Sequence, residues 1–165
     1  MLAFTGDGKG KTTAALGCVM RAAGHGMTCL VIQFIKNRET GEHKIVRGLN
    51  PNVEIRAMGG GFFSEDDAEQ MRCAREAAGE ALDSARAAMA YGRWDIVVLD
   101  EVLYAASKSL VSPGAVRRGI GRRAPGTHVI MTGRNAPDEL LDIADTVTEM
   151  GCVKHPGTST EGIEQ

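Results

Sequence analysis

Short apolar runs separated by stretches of helical spacing set the pattern of the chain. Strands are expected at 2–5 (LAFT), 28–35 (TCLVIQFI), 53–58 (VEIRAM), 95–100 (DIVVLD), 127–132 (THVIMT) and 146–150 (TVTEM). Most of these runs are apolar at consecutive rather than alternate positions, as strands are when helices cover both faces of their sheet. Helices are predicted over 11–24 (KTTAALGCVMRAAG), near 65–90 and over 137–144 (PDELLDIA). In the long helix Met71, Ala74, Ala78, Leu82, Ala85 and Met89 recur at helical spacing, a face small enough to pack closely on a sheet. Ser64 reads as its N-cap, with Glu65, Asp66 and Asp67 at the positive end of the helix. Pro137 and the acids after it give the last helix good starting chemistry. Strand–helix alternation without repeat, low-complexity tract or linker predicts one α/β domain over 1–165, with about six mainly parallel strands.

Composition adds limits. At 165 residues, 43% hydrophobic and 24% charged, the chain has the make-up of a globular protein and not of a disordered or fibrous one. A net charge of −2 gives no long-range attraction to nucleic acid or acidic membranes. No apolar run reaches the ~20 residues a bilayer span needs, and Met1–Phe4 leads straight into a glycine loop rather than forming a signal peptide. A cytoplasmic protein is expected. Cys18, Cys29, Cys73 and Cys152 are scattered in apolar contexts with no C-x-x-C pair, so all four are expected as reduced, buried thiols.

The loop after the first strand carries the first sign of chemistry. In "FTGDGKGKTTAA", 4–15, the phosphate-loop pattern G-x-x-x-x-G-K-[ST] places its first glycine at Thr5, so the glycine at Gly6 comes one residue late. The physical requirements are met all the same. Gly6, Gly8 and Gly10 let backbone amides converge on a polyphosphate, Lys11 adds positive charge at the helix start, and Thr12 offers a hydroxyl to Mg²⁺. "WDIVVLDE", 94–101, is an apolar strand ending in Asp100 and Glu101, carboxylates that suit Mg²⁺ beside such a loop. These residues predict a site for Mg-nucleotide. They leave the reaction open: Glu101 can position water for hydrolysis, whereas phosphoryl transfer needs a base that the sequence does not name.

Three further stretches carry a resemblance: "VIQFIK" at 31–36, "TGRNAPDELLDIADTVTEM" at 132–150 and "VKHP…GIE" over 153–164. With "TGDGKGKTTAALG" and "VVLDE" they resemble, in order along nearly the whole chain, the P-loop type of ATP:corrinoid adenosyltransferase. The family loop has the same compressed spacing, so Thr5 is expected rather than aberrant. The resemblance implies a P-loop NTPase-like (RecA-like) fold and an alkyl-group transfer. Co(I) of a corrinoid, such as cob(I)alamin, cobinamide or cobyrinic acid a,c-diamide, attacks C5′ of ATP, and triphosphate leaves. A Co(I) nucleophile carries no proton to remove, which accords with the missing base. By motif position, Thr5, Gly6, Asp7, Gly8, Lys9, Gly10, Lys11, Thr12 and Thr13 would cradle the triphosphate, and Thr12, Asp100 and Glu101 would hold Mg²⁺ (or Mn²⁺).

The family makes Co(I) accessible by displacing the lower axial ligand of the corrinoid with aromatic side chains. Here "MGGGFFSED", 58–66, offers Phe62 and Phe63, with Ser64 where the family has tryptophan; Trp94 lies elsewhere. Lys11, Thr12, Glu101 and Phe62 are thus the candidate catalytic residues, and Gln33, Lys36, Phe63, Arg134, Lys154 and His155 candidate contacts. The ending is shorter than the family's, and the sequence starts at the first strand where many members carry an N-terminal extension over the corrinoid, so the site is expected to be more open or covered by a partner subunit. A homodimer and an electron donor of the flavodoxin or reduced-flavin kind are further implications. Arg117, Arg118, Arg122 and Arg123 are either a docking face for that donor or a solvated surface. His25, His43 and His128 have no metal-ligand spacing. The competing readings are a P-loop kinase or NTPase and a non-catalytic ATP- or corrinoid-binding protein.

Overall fold

A sheet of six strands forms the centre, β1 (Leu2–Thr5), β2 (Cys29–Gln33), β3 (Val53–Ala57), β4 (Ile96–Asp100), β5 (His128–Thr132) and β6 (Thr146–Glu149), in the order β3-β2-β4-β5-β1-β6. Every neighbouring pair runs parallel. The structure is a computed structural model that describes residues 1–49 and 51–154, without the side chains of 47–49. Each expected strand is present, within one or two residues at its ends.

Alternate residues of the central strands serve two cores. On one face Leu30, Ile32, Val97, Leu99, Val129 and Met131 pack with α3 (Ala68–Tyr91), α4 (Val102–Ser107) and α5 (Pro113–Gly121). On the other face Cys29, Val31, Ile96, Val98 and Ile130 pack against Ala15, Val19, Ala22 and Ala23 of α1 (Lys11–Gly24). β2 and β4 are buried at all five positions because both their faces are covered. β6 at the sheet edge is exposed at all four. The fold is the α/β, P-loop NTPase-like arrangement expected, and the sheet is parallel throughout.

All six residues of the expected α3 stripe are buried, and Ala81 and Ala88 join them. Such small side chains let a helix lie close on a sheet, so Leu82 and Met89 reach the strands. The cap differs from expectation. Asp67, not Ser64, accepts the Glu69 and Gln70 N–H groups, each at 3.0 Å, and the helix starts at Ala68. Ser64 is exposed, and its hydroxyl accepts only a 3.4 Å contact from the Asp66 N–H.

Three helices were not anticipated: α2 (Gly41–Leu49), α4 and α5. The last helix, α6 (Asp138–Leu141), is a single turn where eight residues were expected. The cysteines correct a second expectation. Cys29 is buried and Cys18 half-buried, but Cys73 and Cys152 are exposed. Apolar neighbours in sequence do not bury Cys73, because adjacent helical positions point in different directions.

Candidate functional site

Residues 6–10 connect β1 to α1, and the end of β6 holds them in place. Met150 N–H donates to Thr5 O at 2.9 Å, and Gly8 N–H donates to Met150 O at 2.6 Å. The approach is so close that a Cβ on Gly6, where φ is +91°, would lie 2.5 Å from Met150 O; one on Gly8 would lie 2.6 Å from Gly151 O. The spacing of the loop glycines therefore answers to β6 as well as to any ligand. Gly10 precedes α1 at φ 112° and no side chain caps the helix. Its first-turn N–H groups, from Lys11 to Thr13, thus open towards the loop mouth, a favourable place for an anion.

Lys11 is buried, and its Nζ donates to Gly6 O and Gly8 O, both at 2.7 Å. Burial holds the ammonium below the ordinary lysine value; Glu101 and Asp7 pull it up, and Arg134 pushes it further down. Asp7, Lys9 and Thr13 are exposed on the loop and first turn, and Thr5 is buried beneath them.

The acids at the end of β4 differ sharply in role. Asp100 has no exposed surface. Its Oδ1 accepts from Thr12 Oγ1 at 2.8 Å and Thr132 Oγ1 at 2.7 Å, and its Oδ2 accepts from Gln33 Nε2 at 3.1 Å. Hydrogen bonds to an ionised group contribute about 1.5–3 kcal/mol each, so three of them offset much of the cost of burying the carboxylate. Glu101, one residue on, takes φ 63°, a left-handed conformation that costs a non-glycine residue about 1–3 kcal/mol. Its N–H donates to Thr132 Oγ1 at 2.8 Å. Burial raises its pKa above the ordinary glutamate value, Asp100 adds to the rise, and Lys11, Arg134 and Lys36 oppose it. The oxygen set suits a hard divalent cation. Thr12 gives its only hydroxyl proton to Asp100, which leaves its oxygen lone pairs free, and Glu101 supplies a second oxygen donor.

The segment 58–63 leaves β3 and crosses to the end of β2. Met58, Gly59 and Gly61 N–H groups donate to Gln33 O, Lys36 O and Ile35 O at 3.0, 3.0 and 2.8 Å. On this platform Phe63 turns inward, its ring centroid 6.4 Å from that of Tyr104 on α4. Phe62 turns outward and is 95% exposed. Four strand steps separate the exits of β3 and β1, about 19 Å at the usual interstrand spacing. The segment has crossed to the exit of β2 before Phe62, so the open C-terminal edge of the sheet carries both a phosphate-type loop, after β1, and an exposed aromatic, beside β2, three strand steps away.

The remaining candidates divide. Gln33 is buried in the carboxylate cluster. Arg134 is exposed and close enough to act on Lys11 and Glu101 electrostatically. Lys36 forms an ion pair with Glu42 at 3.0 Å and also acts on Glu101. Lys154 is exposed, while His155 and the GIE element lie outside the described residues. Trp94 is buried at the start of β4, the opposite end of the sheet, beneath the Arg93 guanidinium at 4.7 Å. The arginine cluster is also at that end. Arg123 binds Thr127 O and Ile120 O just before β5 begins. Five residues of β5, about 16 Å, separate it from Thr132. His43 is buried with its Nδ1 3.0 Å from Thr40 Oγ1, and His25 and His128 are exposed. Sequence reasoning missed Thr132 and the Met150–Gly151 backbone. A polar residue closing an apolar strand beside the acidic strand was the available signal for Thr132; a backbone contact leaves none.

Comparison with known proteins bears on the whole chain. It is 40% identical over 158 residues to corrinoid adenosyltransferase CobA of Salmonella typhimurium, covering 94% of this chain and 78% of that one. It is 39% identical over 156 residues to the corrinoid adenosyltransferase of Pseudomonas aeruginosa, covering 94% and 76%. The corrinoid adenosyltransferase of Escherichia coli K12 is 37% identical over 157 residues, covering 94% and 78%. The profile of the family described as ATP:corrinoid adenosyltransferase BtuR/CobO/CobP matches residues 1–165. With the loop, the acidic strand end and the aromatic platform on one edge of a parallel sheet, the chain belongs to the ATP:corrinoid adenosyltransferase family.

Proposed function

We propose that this protein, as a single domain, transfers the 5′-deoxyadenosyl group of ATP to the cobalt of a corrinoid. Co(I) supplies the electron pair of the new cobalt–carbon bond, the C5′–O bond breaks, and its electrons leave with triphosphate. The observation that carries this reading is the cluster of Lys11, Thr12, Asp100 and Glu101 at the phosphate loop of a chain matched from end to end by this family. No proton has to be taken from a Co(I) nucleophile, so the chain's work is positioning and leaving-group stabilisation.

Lys11 and the first-turn amides of α1 take the triphosphate, and Thr12 and Glu101 hold Mg²⁺, with Asp100 orienting Thr12 from behind. Bound there, Mg²⁺ supplies positive charge to a leaving group that gains negative charge as the bond breaks. Phe62, with Phe63 behind it, meets the lower face of the corrinoid and displaces its axial ligand. A flavodoxin or reduced-flavin donor fits this scheme only if it approaches the C-terminal edge of the sheet. The arginine cluster at the far end is a solvated surface in this reading. A homodimer in the cytoplasm, with Arg134 as a ligand contact, completes the proposal.

The test mixes protein, MgATP and chemically reduced cob(I)alamin and follows the cobalt–carbon absorption bands together with the phosphate product. Adenosylcobalamin and triphosphate in equal amounts are expected. Lys11→Ala is expected to lose at least about a hundredfold in rate, the scale of removing one preorganised donor to a developing anion. ADP without a cobalt–carbon bond would turn the assignment to a kinase or NTPase, and tight binding without turnover would turn it to a binding protein.

A further inference from the structure

One hydroxyl orders both acids of the site. Thr132, at the end of β5, has no exposed surface. A threonine hydroxyl has one proton to donate, and this one goes to Asp100 Oδ1 at 2.7 Å. The same oxygen accepts the Glu101 N–H at 2.8 Å. That second bond falls at the residue held at φ 63°, where the chain leaves β4 and enters α4. Gln33 completes the arrangement from β2. Its amide must present N–H to Asp100 Oδ2, because its own carbonyl would repel the carboxylate, and its Oε1 is then buried with no hydrogen-bond partner among the described residues.

Each bond constrains a different part of the site. Asp100 is oriented from β2 by Gln33 and from β5 by Thr132, which fixes the oxygen that receives the Thr12 proton. Glu101 is held through its backbone, so its Cα–Cβ bond leaves the strand end in one direction. Without the Thr132 hydroxyl, Asp100 Oδ1 loses one of two donors and the left-handed turn at Glu101 loses its anchor.

We propose that Thr132 is a positioning residue for the metal–triphosphate site, holding Asp100 by its donor and Glu101 by its acceptor so that Thr12 and Glu101 present oxygens together. The inference rests on the proposed use of Thr12 and Glu101 for Mg²⁺. It adds a residue on a third strand, which touches neither metal nor nucleotide.

The test measures ATP binding to the full chain by equilibrium dialysis, once with Mg²⁺ and once with EDTA, for wild type, Thr132→Val, Thr132→Ala and Thr132→Ser. Outer ligands of metal sites change metal affinity by about 10–100-fold. Affinity for MgATP is therefore expected to fall about tenfold or more in Thr132→Val, while affinity in EDTA stays within about twofold, and Thr132→Ser to recover to within about threefold of wild type. Equal losses with and without Mg²⁺, or no loss at all, would overturn the inference, because a merely structural threonine has no metal-specific effect. If Thr132→Val does not fold, Thr132→Ala against Thr132→Ser decides, and equal MgATP affinities in that pair count against the proposal. Wild-type protein whose ATP affinity ignores Mg²⁺ would overturn the metal assignment and this inference with it. Mg²⁺-dependent wild type with unaffected variants would overturn the inference alone.

Discussion

Phe62 leaves 95% of its surface to solvent while the backbone beneath it is bonded at Gly59 and Gly61 to the exit of β2. Covering a phenylalanine side chain is favourable by about 1.5–3 kcal/mol, and the free protein forgoes that gain here. A ring exposed on a hydrogen-bonded stretch of backbone is therefore available to a ligand and not to the core. Phe62→Ala is expected to leave urea-unfolding stability within about 0.5 kcal/mol of wild type, as exposed positions do. Its adenosylation rate should fall more with cob(II)alamin plus a reductant than with preformed cob(I)alamin. Equal losses in the two assays would remove ligand displacement from its role. Phe62 was legible only through the resemblance, since nothing in "GGGFFSED" distinguishes the ring that turns out from Phe63, which packs near Tyr104. Lys11, Thr12, Asp100 and Glu101 were legible from chemistry alone, because charge and hydroxyl at a strand–helix junction have few other uses. What the residues did not reveal is the division between the acids. Which of two adjacent carboxylates points inward depends on the register of β4 against β2 and β5, where Gln33 pairs with Asp100.

Helix starts show how local chemistry competes. Upstream of α3, Ser64 and Asp67 are both capable of capping, and the choice falls to Asp67 because Gln70 bonds on both sides of it. Gln70 Nε2 donates to Asp67 Oδ2 at 2.8 Å, and its Oε1 accepts the Ser64 N–H at 2.9 Å. Asp67→Ala is expected to destabilise the protein by about 1 kcal/mol, the usual loss of an N-cap. Ser64→Ala, whose hydroxyl makes only the 3.4 Å contact, should change stability by less than about 0.5 kcal/mol. Urea unfolding monitored by circular dichroism separates the two, and the reverse ranking would return the cap to Ser64. The overlooked helices have separate causes. α5 carries a readable start, with Ser112 accepting the Ala115 N–H at 3.1 Å and Pro113 in the first turn, but only Val116 and Ile120 supply large apolar side chains to its buried face, too few to mark a helical period. α4 follows β4 with no glycine or proline between them, because Glu101 itself takes the left-handed turn. Such a turn on a non-glycine residue is a product of tertiary contacts, here the Thr132 hydroxyl and the packing of Val102 and Leu103 in the core, and leaves no mark in the sequence.

For the molecule as a whole, the thiols compare distant regions in one measurement. Cys29 begins β2 with no exposed surface, and burial, helped by Asp95, pushes its pKa up to about 11. Cys18 on α1 is half-buried, Cys73 is exposed on the outer face of α3, and Cys152 is exposed just beyond the strand end that grips the phosphate loop. Only thiolate that a reagent can reach reacts. Native protein treated with an aromatic disulfide reagent at neutral pH should therefore lose Cys73 and Cys152 first and Cys18 more slowly. Cys29 should react only when the sheet opens, a process governed by global unfolding for a central strand. Mass mapping of the labelled sites checks this order, and prompt labelling of Cys29 would mean that β2 is not held between β3 and β4 as described. The same experiment tests the coupling of the loop to β6. Gly8 is bonded to Met150 O and packs on Gly151, so a triphosphate that reorders the loop must also shift the environment of Cys152, one residue further on. Saturating MgATP is expected to change the labelling rate at Cys152 and leave that at Cys73, on a helix packed against the opposite face of the sheet from α1, as it was. An ATP effect of equal size at both thiols would point instead to a general tightening of the fold, with no special connection between the loop and the edge strand.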